Sequence, residues 1–191
     1  MNFENFMRSI EVPQNKIGYF KLHWHQIYMP LVELFDMQVR FNLHTKAVDI
    51  RSNSPKDLER CAHFIAAIVF GFSVEESLKI LRNTDCFTFK FSIFEVKKLK
   101  NEHVSRAIGR IIGTKGRVKQ AIEKASSSSI IINDTDIFIL GNTESINLAK
   151  HAICKLIMGS DPGKVCNDIR NITGKILDKD GLIENIVYRI E

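Results

Sequence analysis

The sequence predicts an α+β fold made of two similar units that follow one another along the 191-residue chain. Each half carries apolar residues in the same order of patterns: strand, helix, helix, strand, strand, helix. Alternation of apolar and polar residues marks the strands, and spacings of three to four residues mark the helices. The length is enough for two domains with cores of their own. We therefore expect two tandem units of the βααββα type, packed together.

The composition agrees with a folded globular protein and excludes several other classes. Hydrophobic residues make up 45% of the chain and charged residues 26%, and the net charge is +5. This balance is unlike that of a disordered or fibrous protein. The most apolar stretch, from Cys61 to Phe72, is interrupted by His63 and is much shorter than the roughly 20 residues that a membrane-spanning helix needs. We expect no membrane segment.

Element boundaries in the first half follow from these patterns. Proline is poorly tolerated inside a helix, so Met29-Pro30 should separate two short helices at 21–29 and 31–37. Val39, Phe41 and Leu43 then alternate with polar residues, and a turn near Thr45-Lys46 leads into Val48 and Ile50, which predicts a β-hairpin. A helix over 56–70 ends at Gly71, and Ser73 with Glu76 forms a capping box for a further short helix.

The second half repeats this order with clearer boundaries. A strand begins near Phe87, and a helical stripe runs from Val104 to Ile112. After a break at 113–116, a second stripe runs from Val118 to Ala125. Two strands follow at 130–132 and 137–140, then a helix that begins near Asn142 and ends at Gly159, and a turn at Asp161-Pro162-Gly163. We divide the chain into a tail at 1–11, a first unit at 12–84, a second unit at 85–160 and a C-terminal extension at 161–191.

The break at 113–116 reads Gly-Thr-Lys-Gly and carries the functional hypothesis. A strand, a helix, a GxxG loop, a helix, two strands and a helix form the type I KH module, whose loop clamps about four nucleotides of single-stranded nucleic acid. Glycines let the backbone approach phosphates closely, and the following helix directs its N-terminal dipole at them. The first unit has Met29-Pro30 where we expect the loop, so it is predicted to lack GxxG.

The basic excess is concentrated around this loop. Between Lys97 and Lys119 there are eight basic residues and one acid, a charge of +7, and the rest of the chain carries −2. Lys115 and the neighbouring cations should contact phosphates, and Ile111 or Ile112 with two strand isoleucines should form an apolar floor for bases. The predicted RNA-binding residues are Arg106, Arg110, Ile111, Ile112, Gly113, Thr114, Lys115, Gly116, Arg117, Lys119, Ile130 and Ile132.

Other readings of these residues are weaker. A nucleotide-binding P-loop needs G-x-x-x-x-G-K-[ST], but the sixth position from Gly109 is Thr114, and a dinucleotide fingerprint needs a preceding strand. Cysteine and histidine spacings match no metal site, and no activated nucleophile or carboxylate pair is evident. We expect no catalytic residues, no cofactor and no metal. The main alternative is a protein-interaction scaffold whose basic segment docks an acidic partner.

Longer strings carry a family resemblance over roughly residues 12–170. They are Gln38–Leu43, Ser105–Ile111, Ala152–Gly159, Lys164-Val165 and Ile169-Arg170. In these strings the chain resembles the partner-of-Nob family, KH-domain proteins that assemble the small ribosomal subunit.

The resemblance implies a non-enzymatic RNA-binding assembly factor. In that family the first unit is a protein-binding platform, and the second unit holds single-stranded rRNA near the 3′ end of small-subunit pre-rRNA. The implied partners are this rRNA, the processing endonuclease of the Nob family and small-subunit ribosomal proteins. The implied location is the nucleus and nucleolus, and also the cytoplasm on pre-small-subunit particles, although no import signal is evident in the sequence.

Overall fold

The computed structural model describes residues 6–187, except for the side chains of Asn101 and of residues 175–187. The chain divides into two units, with the division between Thr88 and Phe89. No helix in the described part is both long enough and apolar enough to cross a membrane.

The first unit contains the predicted βααββα order and one further helix. Its three strands form an antiparallel sheet in the order β1-β3-β2. Phe20, Ile27, Ile50, Phe64 and Ile65 are fully buried in its core. The elements are β1 (Phe6–Glu11), α1 (Gln14–Leu22), α2 (Trp24–Phe35), β2 (Gln38–Asn42), β3 (Ala47–Ser52), α3 (Pro55–Phe70) and α4 (Val74–Arg82).

The strand β1 lies within the segment that we predicted to be a tail, so the prediction is wrong for residues 6–11; residues 1–5 lie outside the described part. Only Phe6 and Ile10 pack against the core, and the residues between them are exposed. This four-residue spacing is not the alternation of a half-buried strand. The strand forms because β3 offers it a complete ladder, from Phe6 opposite Ser52 to Glu11 opposite Ala47.

The boundaries predicted for the first two helices are also wrong. Pro30 lies inside α2 and does not separate two helices. The proline costs one hydrogen bond, but Ile27 and Leu31 on either side of it are fully buried. Their burial holds the helix together across the proline. The junction between α1 and α2 is therefore the single residue His23, not Met29-Pro30.

Predictions that depended on caps and turns are confirmed in the first unit. The turn at 43–46 joins β2 to β3. The helix α3 ends at Gly71, which has a φ of 119°. Ser73 and Glu76 form the capping box at the start of α4, with Glu76 N–H donating to Ser73 Oγ at 3.2 Å and Ser73 N–H donating to Glu76 Oε2 at 3.0 Å.

The second unit has the same order and the same sheet topology, β4-β6-β5, with β5 at one edge. Its core includes Phe91, Ile111, Ile122, Ile139 and Ile153. The elements are β4 (Phe87–Ser92), α5 (Ile93–Val96), α6 (Asn101–Ile112), a 3-10 turn (Thr114–Gly116), α7 (Arg117–Ser126), β5 (Ser129–Asn133), β6 (Asp136–Gly141), α8 (Thr143–Met158) and α9 (Pro162–Val187).

The segment after α8 differs from the prediction. Asp161-Pro162-Gly163 is not a turn between elements but the beginning of α9. Proline is favourable in a first helical turn, and Lys164 N–H donates to Asp161 Oδ2 at 3.1 Å. Val165 and Ile169 of α9 are buried in the core of the second unit.

Candidate nucleic-acid interface

The GTKG loop begins where α6 ends, and its first glycine cannot be replaced without strain. Gly113 has φ 70° and ψ 176°, a conformation that is essentially restricted to glycine. A Cβ at this position would overlap Cγ2 of Val118 and would lie 2.9 Å from Cβ of Val118. Gly113 therefore lets the loop fold closely over the first turn of α7.

The rest of the loop is a tight turn held in left-handed backbone. Lys115 has φ 54° and ψ 29°, and Gly116 has φ 75°. Gly116 N–H donates to the Gly113 carbonyl at 3.2 Å. A Cβ at Gly116 would meet no atom within 4 Å. Glycine is therefore favoured at this position only because of its positive φ angle. Thr114 and Lys115 are exposed at the tip of the loop.

The N-terminus of α7 follows the loop and is electropositive. Gly116 is its N-cap residue, and no side chain caps the helix. The first turn contains no acid, whereas Arg117 is exposed there and Lys119 follows. Cations near the positive end of a helix dipole are unfavourable by themselves, and a bound anion offsets that cost. The loop and this first turn thus form one electropositive surface that a bound anion would stabilise.

The edge strand β5 lies beside α7 and completes the surface. The chain reverses at Ser127, which has a φ of 53°. Buried Ser126 Oγ donates to the Ile122 carbonyl at 2.7 Å. Ile130 N–H donates to Glu123 Oε1 at 2.8 Å, which ties the strand to the helix. Lys119 Nζ lies 3.5 Å from the same Oε1 atom.

The apolar floor is smaller than predicted. Ile111 is 0% exposed and Ile130 is 1% exposed, because both belong to the core of the second unit. Neither side chain can contact a base, and for these two residues the predicted contact is wrong. Ile112 is 37% exposed and Ile132 is partly buried, so these two can offer an apolar surface to bases.

Two of the three predicted arginines, Arg106 and Arg110, lie on another side of α6. Arg110 and Ile112 are two residues apart, or about 200° around a helix, so they face opposite sides of α6. Arg106 and Arg110 line a separate pocket with Lys97 and His103. The structure therefore brings together Gly113, Thr114, Lys115, Gly116, Arg117 and Lys119, but Arg106 and Arg110 are not among them.

The roles of two residues at this surface were not predicted from the sequence. Val118 packs beneath Gly113, and Glu123 bridges α7 to β5. Glu123 follows Lys119 by four residues, a spacing at which a helical ion pair is expected. That spacing was a usable signal, whereas the role of Val118 depends on the path of the loop.

The cysteine thiols offer no activated nucleophile. Burial, with a smaller contribution from the nearby Asp57 carboxylate, raises the pKa of Cys61 from 9.0 to about 12. Burial is also the main cause that raises the pKa of Cys86, Cys154 and Cys166. A raised pKa keeps a thiol protonated and unreactive at neutral pH. Among the described residues, no group of three or more His, Cys, Asp or Glu side chains could hold a metal ion.

Comparison with known proteins agrees with the geometry of the second unit. Residues 90–174 match the family of second KH domains of PNO1, described as a eukaryotic-type KH domain of type I. The matched range includes α6, the GTKG loop, α7, both strands of the β5–β6 hairpin and α8.

Relatives similar to this chain share most of its length. It is 40% identical over 177 residues to RNA-binding protein PNO1 of Oryzias latipes, covering 91% of this chain and 73% of the relative. It is 38% identical to RNA-binding protein pno1 of Drosophila melanogaster, covering 91% and 74%. It is 39% identical to pre-rRNA-processing protein PNO1 of Saccharomyces cerevisiae, covering 90% and 65%.

Solved structures share its fold. One is a chain in the a/eIF2alpha–aDim2p–rRNA complex of Pyrococcus horikoshii, with a TM-score of 0.76 and 25% identity over 91% of this chain and 97% of that chain. Dim2p of the same organism has a TM-score of 0.73 and 26% identity, covering 87% and 99%. A protein of unknown function from Aeropyrum pernix, with a TM-score of 0.79 and 21% identity over 98% and 99%, shares the fold.

Proposed function

Because this chain belongs to the PNO1 family of KH-domain proteins, we propose that it binds single-stranded rRNA through its second unit during processing of small-subunit pre-rRNA. The bound segment lies near the 3′ end of that rRNA. The protein acts without catalysing a reaction: it holds the RNA and positions the processing endonuclease. The relatives named RNA-binding protein and pre-rRNA-processing protein support this assignment.

The single observation that carries the proposal is the geometry of the GTKG loop. Gly113 and Gly116 adopt positive φ angles and leave the loop without side chains at its two ends. An RNA backbone can therefore approach the amide groups of the loop and of the first turn of α7. Lys115 at the tip and Arg117 after it supply positive charge to the phosphates on either side.

The bases then lie toward β5. Ile112 and Ile132 offer an apolar surface, and in the described part of the chain β5 lies at the edge of its sheet, paired with β6 on one side. Unstacked bases of single-stranded RNA can pack on such a surface and hydrogen-bond with exposed backbone groups. A duplex would keep its bases stacked and paired, so the arrangement favours a single strand.

The partners and the location are inferred from the family. We expect the endonuclease of the Nob family and small-subunit ribosomal proteins to contact this protein, with the first unit as the main protein-binding platform. A relative is named a pre-rRNA-processing protein, and a similar solved structure is described as a complex that contains rRNA. The nucleus, the nucleolus and cytoplasmic pre-small-subunit particles are the compartments where this work is expected.

The chain provides a closely matched control for the loop. Thr114-Lys115 and Thr45-Lys46 are the same dipeptide, and both lysines have left-handed backbone, with φ 54° at Lys115 and φ 53° at Lys46. Thr114→Asp/Lys115→Asp and Thr45→Asp/Lys46→Asp therefore change the charge equally at lysines that share a left-handed φ angle. Only the first variant places acids at the proposed RNA site.

Fluorescence anisotropy with a labelled single-stranded RNA from the 3′ end of small-subunit rRNA tests the proposal. We expect Thr114→Asp/Lys115→Asp to weaken binding by at least about tenfold, or about 1.4 kcal/mol, and the control to bind like the wild type. Circular dichroism checks that both remain folded. Equal affinities of the two variants would contradict the proposal. If Thr114→Asp/Lys115→Asp instead lost binding to an acidic peptide while its RNA binding stayed unchanged, the result would support a protein scaffold.

A further inference from the structure

A second basic pocket lies on the side of α6 that faces away from Ile112. It has a volume of about 280 Å³ and is lined by the segment before α6, by one side of α6 and by the C-terminal end of α8. No residue of the GTKG loop, of α7 or of β5 lines it. Its cationic or titratable lining residues are Lys97, His103, Arg106 and Arg110.

The described residues leave the charges in this pocket uncompensated. Among the described residues that line it, none is an aspartate or a glutamate. Within the described part of the chain, the ion pairs of the second unit join other residues and leave Arg106, Arg110 and Lys97 without a carboxylate partner. Arg106 and Arg110 are one helical turn apart, a spacing at which like charges repel. An anion between them would remove that repulsion.

The end of α8 shapes the pocket. Gly159 ends this helix with φ 113°, and a Cβ built there would lie 3.4 Å from Nη1 of Arg110. The guanidinium group therefore lies beside the space that a side chain at Gly159 would occupy. Leu99 and Met158 add an apolar wall, so the pocket combines positive charge with an apolar surface, as nucleotide-binding surfaces do.

We propose that this pocket is a second RNA subsite that holds a phosphodiester group of the same strand after it leaves the GTKG loop. The proposal rests on the function proposed above. An RNA is favoured over an acidic protein because Arg110 and Gly113 belong to one continuous segment, three residues apart. A strand of about four nucleotides would occupy the loop surface alone, and a longer strand would pass the end of α6 and reach the arginines.

The dependence on RNA length tests the proposal directly. Fluorescence anisotropy would compare a tetranucleotide with a single strand of 12 nucleotides, for Arg106→Gln/Arg110→Gln and for a control with the same charge loss, Lys124→Gln/Lys164→Gln. We expect the arginine variant to bind the longer RNA at least about tenfold more weakly and the tetranucleotide within about twofold of the wild type. The salt dependence for the longer RNA should flatten by about 0.7 in log–log slope, because one phosphate contact is lost. The control should bind both RNAs like the wild type.

Other outcomes overturn the proposal. Equal weakening for both lengths would place the arginines in the loop site, and unchanged binding of both lengths would show that the pocket is not an RNA site. A selective loss of binding to an acidic peptide would assign the pocket to a protein. Arg106→Lys/Arg110→Lys keeps the charge and shows whether the effect of the glutamine variant comes from lost charge or from misfolding. This variant should retain most of the salt dependence of RNA binding. Failure of the wild type to bind the tetranucleotide would contradict the proposed function itself.

Discussion

Replacing Gly113 by alanine is the sharpest perturbation of the loop. The new Cβ would overlap Cγ2 of Val118 and lie 2.9 Å from its Cβ and 3.0 Å from its backbone nitrogen. The backbone nitrogen belongs to α7 and cannot move away without shifting the first turn of that helix. Alanine also disfavours the φ of 70° and ψ of 176° found at this position.

These two effects set the expected magnitude. Holding a non-glycine residue in this region costs about 1–3 kcal/mol, and forcing an extra carbon into a packed site costs a similar amount. Gly113→Ala should therefore lower the free energy of unfolding by about 2–6 kcal/mol. Gly116→Ala is the matched control, because its φ is 75° but its Cβ would meet no atom within 4 Å. That variant should lose only about 1–2 kcal/mol.

Urea unfolding followed by far-UV circular dichroism measures both variants. A third variant, Gly113→Ala/Val118→Ala, removes Cγ2 and should recover part of the loss, so the two substitutions should couple by about 1 kcal/mol. RNA affinity should fall more in Gly113→Ala than in Gly116→Ala, because only the first displaces the turn of α7. Equal destabilisation by the two glycine variants, with no coupling to Val118, would refute the steric reasoning.

Three further predictions concern the cap, a buried thiol and the floor of the site. Ser73→Ala should lower the unfolding free energy by about 1 kcal/mol in urea, because the cap of α4 loses its acceptor for Glu76 N–H; an unchanged midpoint would contradict this. The pKa of Cys61 rises from 9.0 to about 12 on burial, so the unfolded chain releases this proton at lower pH than the folded chain. Stability should fall as pH rises between about 9 and about 12, and Cys61→Ala, measured by urea titrations over that range, should have a shallower slope. Ile111→Ala should lower the free energy of unfolding by about 2–5 kcal/mol, because it truncates a core residue. Ile112→Ala should lower it by less than about 1 kcal/mol and should weaken RNA binding. The reverse order would indicate that Ile111, and not Ile112, contacts the RNA.

The sequence predicted the second unit better than the first for a physical reason. In the second unit, Gly113, Asn142 and Gly159 stand at helix ends, so local chemistry and tertiary structure agree on the boundaries. In the first unit the signals conflict. Pro30 suggests a boundary, but the burial of Ile27 and Leu31 maintains α2, and β1 depends on pairing with β3.

The loop chemistry could also be predicted, but the direction of the side chains around it could not be fully resolved. Helical spacing already places Arg110 opposite Ile112. Which side of α6 borders the basic pocket depends on where α8 ends, and Gly159 lies next to Arg110 only in the folded unit. Ile111 continues the apolar row of α6, but its complete burial depends on packing against the sheet and α8.

By our proposal, the second unit holds single-stranded pre-rRNA at the GTKG loop. Ultraviolet crosslinking of the protein in pre-small-subunit particles, with the crosslinked peptide and the crosslinked nucleotides both identified, tests it most directly. We predict crosslinks within residues 112–119 and in β5 to nucleotides near the 3′ end of small-subunit pre-rRNA, and their loss in Thr114→Asp/Lys115→Asp. Crosslinks that fall only in the first unit, or only to RNA other than small-subunit pre-rRNA, would contradict the account.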